Sequence, residues 1–177
     1  MKKIEDLINQ SLILYKKNKY DDAIKILESI DVNNDYRKYF LLGTIYISLK
    51  KIDLAENNLN LANKINPNNS SILHNLGTLM ATKGNFEIAK NFYLKAINIS
   101  KNIESMSEIG RLYQDEKNFD EAQKYFEMAL KQDTNHKTTN LRIGNMYLKM
   151  NEYKKGLNHI KKATGFIRFS DEGFEII

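Results

Sequence analysis

Chemistry in this chain would have to start from its histidines and its paired acids, and both are dispersed. The 177 residues contain three histidines, His74, His136 and His159, far apart in sequence. No H-E-x-x-H pair, G-x-S-x-G elbow or glycine-rich phosphate loop surrounds any of them. Cysteine is absent, so neither a disulfide framework nor a thiolate metal site can form. The acid pairs Asp21-Asp22, Asp115-Glu116 and Asp120-Glu121 fall at expected helix starts and turns. Carboxylates at a helix start complement its dipole, which explains them without catalysis. His136 reads as a turn residue, and His159 as a surface or half-buried residue of a helix.

Composition sets further bounds. The chain is 42% hydrophobic and 28% charged, with a net charge of +5, ordinary for a globular protein. Lys2 and Lys3 are followed by Glu5 and Asp6 rather than by an apolar stretch, so no secretory leader is expected. No apolar run approaches the ~18 residues of a membrane span. A cytoplasmic location without membrane insertion is the expectation.

The elements that would position any site are set by a repeat. Gly43, Gly77, Gly110 and Gly144 recur 34, 33 and 34 residues apart, and Ala62, Ala96, Ala129 and Ala163 keep the same intervals. A third series of small residues runs Ala23, Ala55, Ala89, Ala122, Gly156. A period near 34 marks a stacked helical array. It divides the chain into units 4–35, 36–69, 70–102, 103–136 and 137–170, with the tail 171–177 left over. Each unit reads as two amphipathic helices. In the third, Leu73, Leu76 and Met80 share one helical face and Phe86, Ala89, Tyr93 and Ala96 another. Lys83-Gly84-Asn85 forms the turn between them, with Gly84 free to take the left-handed conformation that ends a helix. Asn18, Lys50, Lys117 and Asn151 hold the equivalent positions; the lysines are expected to strain slightly or to turn differently. Glycine costs a helix interior about 1 kcal/mol, so four in register imply a close helix approach. Bulky partners are at hand in Leu59, Tyr93, Phe126 and Ile160.

This pattern resembles the tetratricopeptide repeat family. The matching residues of the second unit are Tyr39, Leu42-Gly43, Tyr46, Ala55, Leu59, Ala62 and Pro67. Leu73, Leu76-Gly77, Ala89, Tyr93 and Ala96 repeat the match, as do Met106, Ile109-Gly110, Tyr113, Ala122, Phe126 and Ala129. The first unit departs at Gln10, Ser11 and Ile30, and the fifth at Asn140 and Gly156. Pro67 is the only proline, so the turns between units rest elsewhere on Asn, Asp and Ser. The resemblance implies an all-α, right-handed superhelix (solenoid) of about five helix pairs. It also implies a concave groove lined by the first helix of each pair, no catalysis and no cofactor.

Carried over position by position, the groove draws on Ile8, Asn9, Leu12 and Tyr15, then Arg37, Phe40, Leu41, Thr44 and Ile47. It continues through Ser71, His74, Asn75, Thr78 and Thr82, then Glu104, Glu108, Arg111, Gln114 and Asp115, then Thr138, Leu141, Arg142, Asn145 and Lys149. The ligand-binding set singled out is Phe40, Thr44, Ile47, His74, Asn75, Thr78, Glu108, Arg111, Arg142 and Asn145. Along this path the groove changes from apolar to polar, then acidic, then basic, which suits a peptide with one apolar and one charged end. Family members that bind chaperone C-termini resemble one another in a clamp of Lys, Asn and Arg. Here the clamp positions hold Phe40, Thr44, Asn75, Glu104 and Glu108; only Asn75 matches, and two glutamates would repel a carboxylate.

Charge is uneven. The fourth unit carries eight acids and four bases, the fifth one acid (Glu152) and eight bases. The basic unit is expected to lack interleaved exposed aromatics and its neighbour is acidic, which disfavours nucleic acid. Beyond Gly165, two short apolar stretches flank Asp171-Glu172-Gly173 and suggest a hairpin or an extended flap. It would cover the last unit, dock a partner or a second copy, or mark a former junction with a downstream domain. The function expected is a non-catalytic interaction scaffold for a protein or peptide segment. The alternative is a recruitment or self-assembly module serving a separate enzyme and using the tail.

Overall fold

The computed structural model describes residues 2–31 and 34–165, and the backbone of 167–170 and 173–176. Asp171 and Glu172 of the expected turn, Phe166 and Ile177 lie outside the described residues. The chain divides into two compact bodies, Met1–Ile99 and Ser100–Ile177.

The N-terminal body contains α1 (Lys2–Lys16), α2 (Tyr20–Glu28), α3 (Tyr36–Ser48), α4 (Ile52–Ile65), α5 (Ser70–Thr82) and α6 (Phe86–Ser100), the last ending at the boundary. The C-terminal body contains α7 (Ile103–Asp115), α8 (Phe119–Gln132), α9 (Lys137–Lys149) and α10 (Tyr153–Thr164). Strands β1 (Ile167–Ser170) and β2 (Gly173–Ile176) follow, paired antiparallel with Ile167 opposite Ile176 and Phe169 opposite Phe174. The tail is thus a hairpin, the first of the two forms expected.

Every helix pair is closed by the same device. Asn18, Lys50, Gly84, Lys117 and Asn151 all take positive φ, between 57° and 80°. The next residue's N–H reaches back five residues in each turn: Lys19 to Leu14, Lys51 to Tyr46, Asn85 to Met80, Asn118 to Tyr113 and Glu152 to Tyr147, each at 2.9 Å. This double closure satisfies carbonyls that a helix end otherwise leaves bare. Lys50 and Lys117 accept the left-handed strain rather than turning differently, because an alternative turn would forfeit those bonds. First helices start on Asp35, Asn69 and Asn102, whose side chains accept from Arg37 N, from Ser71 N and Ile72 N, and from Ser105 N respectively. Asp35 and Asn102 thus cap helices whose preceding turns hold no proline.

The glycine register has its expected cause. A methyl placed on Gly77 would lie 2.6 Å from Tyr93 Cε1, and one on Gly110 2.6 Å from Phe126 Cε1. Gly43 meets Leu59, and Gly144 meets Ile160, in the same way. Tyr93, Phe126 and Leu59 are fully buried, so each ring or branch fills the notch its glycine leaves. In the first pair Ser11 holds the small-residue place; it is fully buried, with its hydroxyl donating to Leu7 O at 2.8 Å.

Candidate functional site

In the N-terminal body a cavity of about 350 Å³ opens between α1, α3 and α5. Ile8, Asn9, Leu12, Arg37, Phe40, Leu41 and Ser71 line it, together with Tyr36 and Asn69. Ile8 and Leu41 are core residues that form its floor, whereas Leu12 is exposed and Phe40 half-buried. Arg37 stands at the wall, its guanidinium held by Asp35 through Nη2–Oδ2 at 2.7 Å and Nε–Oδ1 at 3.0 Å. The hydrogen bonds from Arg37 hold the Asp35 carboxyl below the usual range despite partial burial. The cavity thus has an apolar floor, polar walls at Asn9, Asn69 and Ser71, and a guanidinium already paired to a carboxylate, which suits an apolar side chain beside an acceptor group.

The polar residues of the expected groove bond to one another across helices. Asn75 Nδ2 on α5 donates to Thr44 Oγ1 on α3 at 2.7 Å, and Thr44 donates to Phe40 O at 2.8 Å. Tyr93 Oη donates to Thr78 Oγ1 at 3.2 Å, and the His74 ring lies 5.5 Å from the Tyr93 ring. Ile47 is half-buried on α3.

In the C-terminal body Glu108 on α7 sits between two arginines. Arg142 on α9 donates to Glu108 Oε1 and, through Nη1, to Ser107 Oγ at 2.9 Å. Arg111 Nε donates to Glu108 Oε2 at 2.9 Å, and its Nη1 to Asp115 Oδ2 at 2.8 Å. Burial alone would raise the Glu108 carboxyl, but Arg142 and then Arg111 outweigh it and hold it below its usual value. The acidic and basic stretches expected in sequence are, at these positions, one ion-paired cluster between neighbouring helices. Glu108 and Arg142 expose only 19% and 22% of their side chains, so the pair is oriented by the fold rather than free in solvent. Asn145 is exposed.

A second polar cluster went unnoticed in the sequence. Asn140, fully buried, donates to Thr134 O at 2.9 Å and His136 O at 3.1 Å, and its Oδ1 faces His159 Nδ1 at 2.9 Å. Since the amide NH2 is spent on carbonyls, His159 must donate through Nδ1. Burial, and then Lys162, lower the His159 pKa. His136 starts α9 and reaches Thr139 Oγ1 at 2.7 Å. The departure at Asn140 was the only available signal. Among the described residues no group of His, Asp and Glu is gathered as for a metal ion, and no helix is long and apolar enough to cross a membrane.

A family model described as tetratricopeptide repeat matches residues 36–69, 70–103 and 103–136. The anaphase-promoting complex subunit CDC16 of Saccharomyces cerevisiae is 25% identical over 130 residues, covering 69% of this chain and 16% of its own length. A TPR repeat-containing protein of Methanocaldococcus jannaschii is 29% identical over 136 residues, covering 74% and 24%. The chain thus spans less than a quarter of the length of these relatives. Among solved structures, Pseudomonas aeruginosa PilF is similar in fold, with a TM-score of 0.80 at 18% identity over 92% of this chain and 77% of that one.

Proposed function

The chain belongs to the tetratricopeptide repeat family, and from that premise we propose that it is a non-catalytic scaffold. It binds a protein or peptide segment on the first helices of its repeats. The units 4–35 and 137–170 serve as atypical first and last repeats, and no cofactor takes part. The observation that carries this reading is the cavity of about 350 Å³ between α1, α3 and α5. A peptide side chain inserted against Phe40 and Leu12 would bury apolar surface, and Arg37 would meet a carboxylate or carbonyl beside it. The Thr44–Asn75 pair, Thr78 and His74 extend that surface with polar contacts, and Ile47 with an apolar one. Glu108, Arg111, Arg142 and Asn145 supply a charged patch on the C-terminal body, with Arg142 acting as an oriented donor.

The test is affinity capture from the native lysate with the wild type and with Leu12→Ala/Phe40→Ala, folding being checked by circular dichroism. A protein retained by the wild type and lost by the folded variant supports the site. Equal retention by both overturns it. Arg142 is a poor choice for this comparison, since its removal also breaks the Glu108 cluster.

The hairpin favours a second reading, a recruitment or self-assembly module. Each strand of a two-stranded sheet has an edge open to further pairing. Truncation after Thr164 separates the two: a covering role lowers stability, and an assembly role changes the mass in solution.

A further inference from the structure

A larger cavity, about 530 Å³, lies in the C-terminal body between α9 and α10. Tyr147, Asn158 and His159 line it with Lys155, Lys161 and Lys162, and Gly165 closes one side. Its meaning follows from the register one period earlier. There the Tyr113 and Tyr125 rings stack at 5.7 Å, and here Tyr147 and His159 stack at 5.8 Å with nearly the same tilt. In the earlier register α9 covers α8: Met146 and Tyr147 pack with Ala122 and Phe126, and Met150 lies against them. By the same register a further first helix on α10 would cover Gly156 and Ile160, the counterparts of Ala122 and Phe126, so the cavity lies on another face of α10.

The side chains there have changed character. Where the earlier register has Glu121 and Met128, this one has Lys155 and Lys162. The aromatic pair persists, with Tyr147 itself buried; Lys155 Nζ lies 5.3 Å from the centre of its ring and also pairs with the Glu152 carboxylate at the cavity's edge. The fifth unit carries eight bases against one acid, so the field at the cavity favours an anion.

We propose that this cavity docks an acidic segment of a partner protein, an apolar or aromatic side chain resting against His159 while carboxylates meet Lys155 and Lys162. The site is separate from the cavity around Phe40, and each can fail without the other.

The experiment titrates the full chain with a short synthetic peptide holding one phenylalanine among glutamates. A second titration uses the same peptide with glutamines. Binding is read by fluorescence anisotropy and by NMR shifts of the Tyr147 and His159 rings. The glutamate peptide should bind at least about tenfold more tightly, shift both rings and weaken with added salt. Lys155→Glu/Lys162→Met installs the residue types of the preceding register, which α8 already accommodates, and should abolish that preference. Leu12→Ala/Phe40→Ala should leave it intact. Equal binding of the two peptides, or binding unchanged in Lys155→Glu/Lys162→Met, overturns the proposal. So does binding that emerges only in Asp171→Asn/Glu172→Gln, which would make the chain's own acidic residues the occupant.

Discussion

Replacing Gly110 by alanine tests the packing that defines each repeat. The new methyl would lie 2.6 Å from Phe126 Cε1, 2.7 Å from Cδ1 and 3.1 Å from Cγ. Ordinary contact begins near 3.4 Å, so the ring must retreat by about 0.8 Å. It has little room, because Phe126 is fully buried and packs in one cluster with Ala122, Ile143, Met146 and Tyr147. Overpacking costs about 1–3 kcal/mol in general, and a fully buried ring with little room to move puts this site in the upper half of that range, about 2–3 kcal/mol. Alanine returns about 1 kcal/mol of helix propensity. The expected net loss is about 1–2 kcal/mol, or a fall in Tm of about 2–8 °C for a chain of this size. Thermal and urea unfolding followed by circular dichroism measure it. Phe126→Leu trims the ring that the methyl strikes, so the double variant should lose less than the sum of the single losses, by about 0.5 kcal/mol or more. A Gly110→Ala protein as stable as the wild type would refute the reasoning, as would additive losses.

Three further outcomes are expected. Lys50→Gly and Lys117→Gly relieve left-handed strain at exposed turns and should each add about 0.5–1 kcal/mol, seen as a higher urea midpoint. Glu108 has a depressed folded pKa, so its contribution is complete above its ordinary value of 4.5 and is lost as pH falls below it; Glu108→Gln should flatten that acid limb of the stability profile. His159 is also depressed, but as a base: below its ordinary value of 6.5 the unfolded chain gains the proton first, so stability falls with pH from there downward. His159→Gln should remove that slope, and a wild-type profile flat from pH 7 to about 5 would contradict the placement of the ring.

Local chemistry made much of this fold legible. A turn such as Lys83-Gly84-Asn85 is encoded within a few residues, and so are the caps Asp35, Asn69 and Asn102. The small-residue register was readable because a close helix approach tolerates no substitute, which leaves a periodic trace along the chain. The notches filled by Tyr93 and Phe126 follow from it, and so does the family. Leu12 and Phe40, which line the cavity in the N-terminal body, were legible as apolar residues of the first helices.

What the sequence by itself determined was thus the repeat, its helices and their turns, while the tail, a hairpin or a flap by sequence, was settled by the pairing of β1 with β2. Only the tertiary structure decided how the polar side chains are spent. Glu108 and Arg142 read as separate acidic and basic stretches, yet lie in one ion pair because α7 and α9 run side by side. Thr44 meets Asn75 across 31 residues, and Asn140 meets His159 across 19. Such pairings depend on how far one helix is displaced along its neighbour, and on rotamers chosen by packing. A shift of a single residue along an α-helix turns a side chain through about 100°, enough to separate any of these partners. Composition and spacing carry no record of that displacement, whereas a buried hydrogen bond depends on it entirely.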